Sequence, residues 1–100
     1  MMIDEPQADR VDAALIPLGD EAQNIAIGLL ASLRRAGLAA YMGLRGNMKK
    51  RLQRADAAGA RYAIILGEDE VASSHAQLKD LQSGEQRAVP FESLVEVLSK

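Results

Sequence analysis

Residues 47–70 read NMKKRLQRADAAGARYAIILGEDE, and this stretch decides the fold. Asn47 can cap a helix, because its side-chain oxygen accepts from a backbone N–H left free in the first turn. Met48, Leu52 and Ala55 recur at helical spacing and form the buried side, while Lys49, Lys50, Arg51 and Arg54 crowd the remainder. Gly59 supplies a stop. Ala60 to Leu66 (ARYAIIL) is then a short apolar run of the kind found in a strand covered on both faces. It ends at Gly67 and three consecutive acids, Glu68, Asp69 and Glu70. A basic amphipathic helix feeding a buried strand that ends in acids suits RNA better than it suits catalysis.

Upstream, Val11 to Leu18 (VDAALIPL) is a second nearly continuous apolar run, closed by Gly19, and belongs near the middle of a sheet. From Asp20 to Ala36, the apolar residues Ala22, Ile25, Ala26, Leu29, Leu30 and Leu33 recur at helical spacing. Asp20 and Glu21 suit the positive N-terminus of that helix, and Gly37 suits its stop. Leu38 to Leu44 reads as another strand. Strand, helix, strand, helix, strand with short connections implies right-handed crossovers and a largely parallel sheet.

Downstream the pattern changes. His75 to Leu81 alternates apolar and polar, Ser83-Gly84 makes a turn, and Gln86 to Val89 returns as a short strand, so a hairpin is added at one edge. Pro90 fits the first turn of a last helix with Phe91, Leu94, Val95 and Leu98 on its core side. The sum is an α/β sandwich of three helices and five strands. Residues 1–10 form a polar N-terminal stump or linker, and residues 11–100 form the single domain.

With 100 residues, 48% hydrophobic and 26% charged, the composition is that of one globular domain. No run approaches the roughly 18 apolar residues that span a bilayer, and the acidic start does not resemble a signal peptide. Absence of cysteine removes thiolate metal sites and cysteine nucleophiles and fits a reducing compartment; the expected location is the cytoplasm. The net charge of −2 hides a segregation. Residues 1–44 carry −3 and residues 62–100 carry −4, whereas residues 45–61 carry +5, from Arg45, Lys49, Lys50, Arg51, Arg54 and Arg61 against Asp56. One basic patch sits inside an acidic chain.

Catalytic signatures are sparse. His75 is the single histidine, so a metal site would depend on carboxylates, and a solvent-exposed role is the simpler reading. The Leu18-Gly19-Asp20 turn lies where nucleotide folds bind phosphate, yet it has neither G-x-G-x-x-G nor G-K-[ST]. The acids at 68–70 could hold Mg²⁺, but such residues more commonly cap a helix or face water. Binding chemistry is better supported. A carboxylate at the carboxyl end of a strand can accept both N1–H and N2–H of an unpaired guanine, and a neighbouring lysine can donate to base carbonyls. Glu70 and Lys79 suit those roles if strand 75–81 lies beside strand 60–66, while Lys49, Lys50, Arg51 and Arg54 could track phosphates. The alternative for that helix is a merely solvated charged face. Only Tyr41, Tyr62 and Phe91 are aromatic, which offers little for base stacking.

GNMKKRLQRADAAGARYAIILGEDE, followed by LKDLQSGEQ and VPFESLVEVL, resembles the C-terminal anticodon-binding domain of bacterial histidyl-tRNA synthetases. The opening VDAALIPLGDEAQ and the segment LLASLRRAGLAA also fit, so the resemblance covers about Asp9 to Leu98. It implies a class IIa anticodon-binding fold, a three-layer α/β sandwich with a mixed five-stranded sheet. It further implies that Glu70, with Glu68 in the same GEDE turn, meets an anticodon base, that Lys79 serves the same loop, and that Arg45, Asn47, Lys49, Lys50 and Arg54 contact RNA. Arg45-Gly46-Asn47 departs from the usual Gly-Arg-Ser, and Arg51 stands where glutamine is usual. The implied partners are the histidine tRNA, the parent catalytic domain and a homodimer; ATP and histidine would bind that absent domain, so this chain is expected to be non-catalytic and to need no cofactor. It reads as an excised domain, with a free-standing RNA-binding or protein-interaction relative as the alternative. A third reading, a nucleotide-binding regulatory domain, would bind a mononucleotide at Gly19-Asp20 and ignore RNA.

Overall fold

The computed structural model describes residues 11–44 and 46–98; the N-terminal stump and Arg45 lie outside them. Three parallel strands, β1 (Val11–Pro17), β2 (Ala40–Met42) and β3 (Ala60–Leu66), are joined by α1 (Asp20–Arg35) and α2 (Met48–Ala57). The short helix α3 (Glu68–Ser73) leads into the antiparallel strands β4 (His75–Asp80) and β5 (Gln86–Pro90), and a 3₁₀ turn (Phe91–Ser93) runs into α4 (Leu94–Leu98). The sheet order is β2-β1-β3-β4-β5.

That order accounts for the layers. The step from β1 to β2 runs one way across the sheet, and the step from β2 to β3 runs back the other. Right-handed crossovers therefore send α1 and α2 to opposite faces. Ala13, Leu15, Ile64, Leu66, Ala76 and Leu78 pack on the α1 side with Leu33, Leu94 and Leu98. Ile16, Ala63 and Ile65 pack on the other side with Met48 and Leu52 of α2. Because β1 and β3 are covered on both faces, both read as continuous apolar runs. Leu15, Ile16, Leu33, Ile64, Leu66, Leu78 and Leu94 are fully buried, each contributing about 1.5–3 kcal/mol of transfer free energy.

The structure refines three expectations. The second strand is trimmed to residues 40–42, because this edge strand pairs only with Ala13, Ala14 and Leu15. A fourth helix, α3, stands where the sequence reading placed only an acidic turn; with Val71 as its one large apolar residue, it shows no helical repeat. Pro90 ends β5 and caps the 3₁₀ turn instead of entering the last helix. Its fixed φ and missing N–H serve both situations.

Gly59 has φ of 81°, which allows the chain to leave α2 and enter β3 within two residues. The β4–β5 turn is tied by Asp80, whose Oδ1 accepts from the N–H groups of Gln82 (2.9 Å) and Ser83 (3.2 Å).

Candidate nucleic-acid interface

Parallel strands end on a common edge, and α1, α2 and α3 all begin there with their free N–H groups and positive dipole ends. Their first turns differ in sign. Asp20 and Glu21 open α1, and Glu68, Asp69 and Glu70 open α3, whereas α2 opens with Lys49 and Lys50 and no acid. The edge is thus anionic on the α1 side of the sheet and cationic on the α2 side. A cleft of about 250 Å³ between α1 and α3 is lined by Leu18, Gly19, Asp20, Glu21, Glu68 and Val71. Carboxylates line the place where a phosphate loop would act, which removes the support for the mononucleotide reading.

On the α2 side the sheet is only half covered. Ala63 pairs with Lys79, and Ile65 with Gln77, so these β4 residues share the face on which α2 sits. Lys79 in turn pairs with Gln86, and Gln77 with Ala88. α2 packs on β1 and β3. Beside it, Gln77, Lys79, Gln86 and Ala88 form a polar floor, on which the Gln86 amide donates to Gln77 Oε1 at 3.2 Å. Flanked by cations and lined with amide and ammonium groups, this floor can hold a base while phosphates are neutralised at its rim.

The structure places every expected site residue except Arg45, which lies outside the described residues. Asn47 is the N-cap of α2, its Oδ1 accepting from the Lys50 N–H at 2.9 Å, so its side chain is engaged in the fold. Lys49, Lys50 and Arg54 are exposed on α2. At about 100° per residue, however, they do not form one row. With Met48, Leu52 and Ala55 facing the sheet, Lys49 flanks the β4 side, Arg54 flanks the β2 side, and Lys50 lies on the outer side of the helix. Glu68 is exposed at the acidic cleft. Glu70 is half-buried, and its Oε1 accepts from the Gly67 N–H at 2.9 Å, capping α3. A Cβ at Gly67 would lie 2.8 Å from that oxygen, so glycine is what lets the carboxylate approach. Lys79 lies beside Ala63, three residues before β3 ends, about 10 Å along the strand. Glu70 and Lys79 therefore mark two ends of a strip and not one point.

His75 is half-buried at the start of β4, which is an interior strand and not the expected edge, and its Nδ1 lies 2.7 Å from the Ser73 carbonyl. Among the described residues, no group of three His, Asp or Glu side chains is placed to hold a metal, and no helix is long and apolar enough to cross a membrane.

Arg51, read from the sequence with its neighbours as a residue that could track phosphates, has its guanidinium engaged in the fold instead. Its guanidinium donates to the carbonyls of Pro17 (2.7 Å), Gly46 (2.9 Å) and Leu44 (3.2 Å), tying the loop before α2 to the end of β1. Arg51 thus shapes the site as a fold residue. Tyr41 was noted only for its rarity. It sits beside Arg54; burial raises its phenol above the ordinary value of 10.0, and the arginine charge opposes that rise.

Comparison with known proteins agrees with this geometry. A family model described as an anticodon binding domain matches residues 12–100. A histidine–tRNA ligase of Gluconobacter oxydans is 44% identical over 99 residues, covering 99% of this chain and 24% of the ligase. The apo histidyl-tRNA synthetase of S. aureus superposes with a TM-score of 0.85 at 28% identity, over 98% of this chain and 25% of that one. The RNA-binding domain of threonyl-tRNA synthetase from Cryptosporidium parvum shares the fold, with a TM-score of 0.80 at 15% identity, over 89% of this chain and 23% of that one. The chain spans about a quarter of the length of these relatives.

Proposed function

This chain belongs to the anticodon-binding domain family, and on that premise we propose that it recognises the anticodon loop of the histidine tRNA as one domain of a histidyl-tRNA synthetase. The carrying observation is the half-covered sheet: a polar floor of Gln77, Lys79 and Gln86 lies beside the cationic start of α2. Unpaired loop bases expose the edges that such a floor can read, and the neighbouring phosphates meet Lys49. In this reading Lys79 donates to a base carbonyl, and Glu70 offers its carboxylate to a base N–H at the strand end.

The identity to histidine–tRNA ligases supports the choice of tRNA. The reading carries with it the parent's catalytic domain and homodimer as protein partners, and the cytoplasm as the place of action. It assigns no reaction to this chain; binding ATP and charging the tRNA belong to the remainder of the parent.

The test is an amide NMR titration of the labelled chain with a histidine anticodon stem-loop (GUG) and with the same stem carrying a scrambled loop. Shifts at residues 67–70 and 75–79 with GUG alone are expected. Equal shifts with both loops would leave a general RNA binder and remove the anticodon assignment.

A further inference from the structure

A second groove lies on the other flank of α2. It measures about 320 Å³ and is lined by Tyr41, Met42, Gly43, Leu44, Arg51 and Arg54. Its floor is the edge strand β2, and its wall is the loop that Arg51 holds through the Leu44 and Gly46 carbonyls, so the fold itself fixes its shape.

Three features of this groove point to a nucleotide. Leu44 is 46% exposed and is one of only two large apolar side chains so exposed among the described residues, and it stands inside a concave site instead of alone on the surface. Tyr41 is half-buried and faces the same space, so an aromatic and an aliphatic side chain, Tyr41 and Leu44, line one pocket, while Met42 turns its side chain to the α1-side core. Arg54, exposed on α2, brings a cation to its rim. An apolar and aromatic pocket with an arginine at its rim complements a base joined to a phosphate. The basic segment is thereby divided: Lys49 serves the open sheet, and Arg54 serves this groove.

We propose that the groove between β2 and α2 is a second RNA contact, holding one nucleotide that flanks the bases read on the open sheet. The base packs against Tyr41 and Leu44, and its phosphate meets Arg54. The RNA then straddles the N-terminus of α2. This inference rests on the RNA-binding reading above, and its test separates the two.

The experiment measures binding of a labelled anticodon stem-loop by fluorescence anisotropy to the wild-type chain and to Leu44→Ala, Tyr41→Leu and Lys79→Ala. It is repeated with an abasic site at each loop position in turn. Leu44 is exposed, so Leu44→Ala should melt as the wild type does, and it should bind about 3- to 10-fold more weakly through lost apolar contact. One abasic position outside the anticodon should abolish that difference, because the base that met Leu44 is gone. If Leu44→Ala and Tyr41→Leu bind as the wild type while Lys79→Ala binds weakly, the groove is overturned and the open-sheet reading stands. Additive losses at every abasic position also overturn the groove. Failure of the wild-type chain to bind the stem-loop overturns both.

Discussion

Replacing Arg51 with methionine keeps an unbranched aliphatic side chain and removes the guanidinium that joins Pro17, Leu44 and Gly46. A hydrogen bond to a charged group is worth about 1.5–3 kcal/mol when buried and much less when water can replace the donor. The Leu44 and Gly46 carbonyls are exposed, so water recovers most of their loss. The Pro17 bond is partly buried, 2.7 Å long, and links residues 34 apart. It dominates, and Arg51→Met should cost about 1.5–3 kcal/mol, which for a domain of this size lowers the melting midpoint by roughly 6–24 °C. Arg51→Lys should recover only part, because one ammonium cannot reach three carbonyls set around a planar fork. The assay is urea unfolding followed by circular dichroism, in which the midpoint should fall while the slope stays constant. Lys49→Met is the control, expected within about 0.5 kcal/mol of the wild type because Lys49 is exposed. A result for Arg51→Met as small as that of the control would refute the latch.

Glu70→Ala should lose about 0.5–2 kcal/mol of stability through the α3 cap and about 1–3 kcal/mol of discrimination between anticodon loops; unfolding and paired binding titrations separate these, and an unchanged loop preference would end the base-reading role. Lys49→Ala with Lys50→Ala should weaken binding to all RNAs alike and reduce the slope of log affinity against log salt by about 1.4, so a loop-selective loss would contradict phosphate contact. Because burial raises the Tyr41 phenol above its ordinary 10.0, the unfolded chain releases this proton first as the solution becomes alkaline. Stability should therefore fall as pH rises past about 10, and Tyr41→Phe should remove that part of the fall, as measured by denaturant midpoints across that range.

The parts of this fold legible in sequence are those set by local pattern and by burial. β1 and β3 show as apolar runs because helices cover both faces, and α1 shows through its repeat and the stop at Gly37. The alternation HAQLKD places Lys79 and Gln77 on one face of β4, and the register with β3 makes that face the α2 side. What escaped reading depends on partners remote in sequence. Arg51 resembles its basic neighbours until Pro17 is brought beneath it. α3 is defined by one carboxylate returning to Gly67, not by a hydrophobic repeat. The basic segment looked continuous because a string of residues carries no sense of angle, whereas the helix turns its cations to two flanks.

The bond between Glu70 and the Gly67 N–H bears on how sharply a base can be judged. A free glutamate on a surface samples many rotamers, and a ligand that fixes it must oppose up to about 2 kcal/mol of lost side-chain entropy. Here folding has already restricted Glu70, and the backbone at the end of β3 sets where Oε1 lies. A carboxylate oxygen has two lone pairs, so Oε1 can keep its cap and still accept a base N–H, with Oε2 beside it. Under the proposed reading the carboxylate acts as a fixed gauge, and an ill-fitting base cannot be accommodated by swinging it aside without also loosening the first turn of α3. Fidelity at this position is thereby coupled to the order of a six-residue helix.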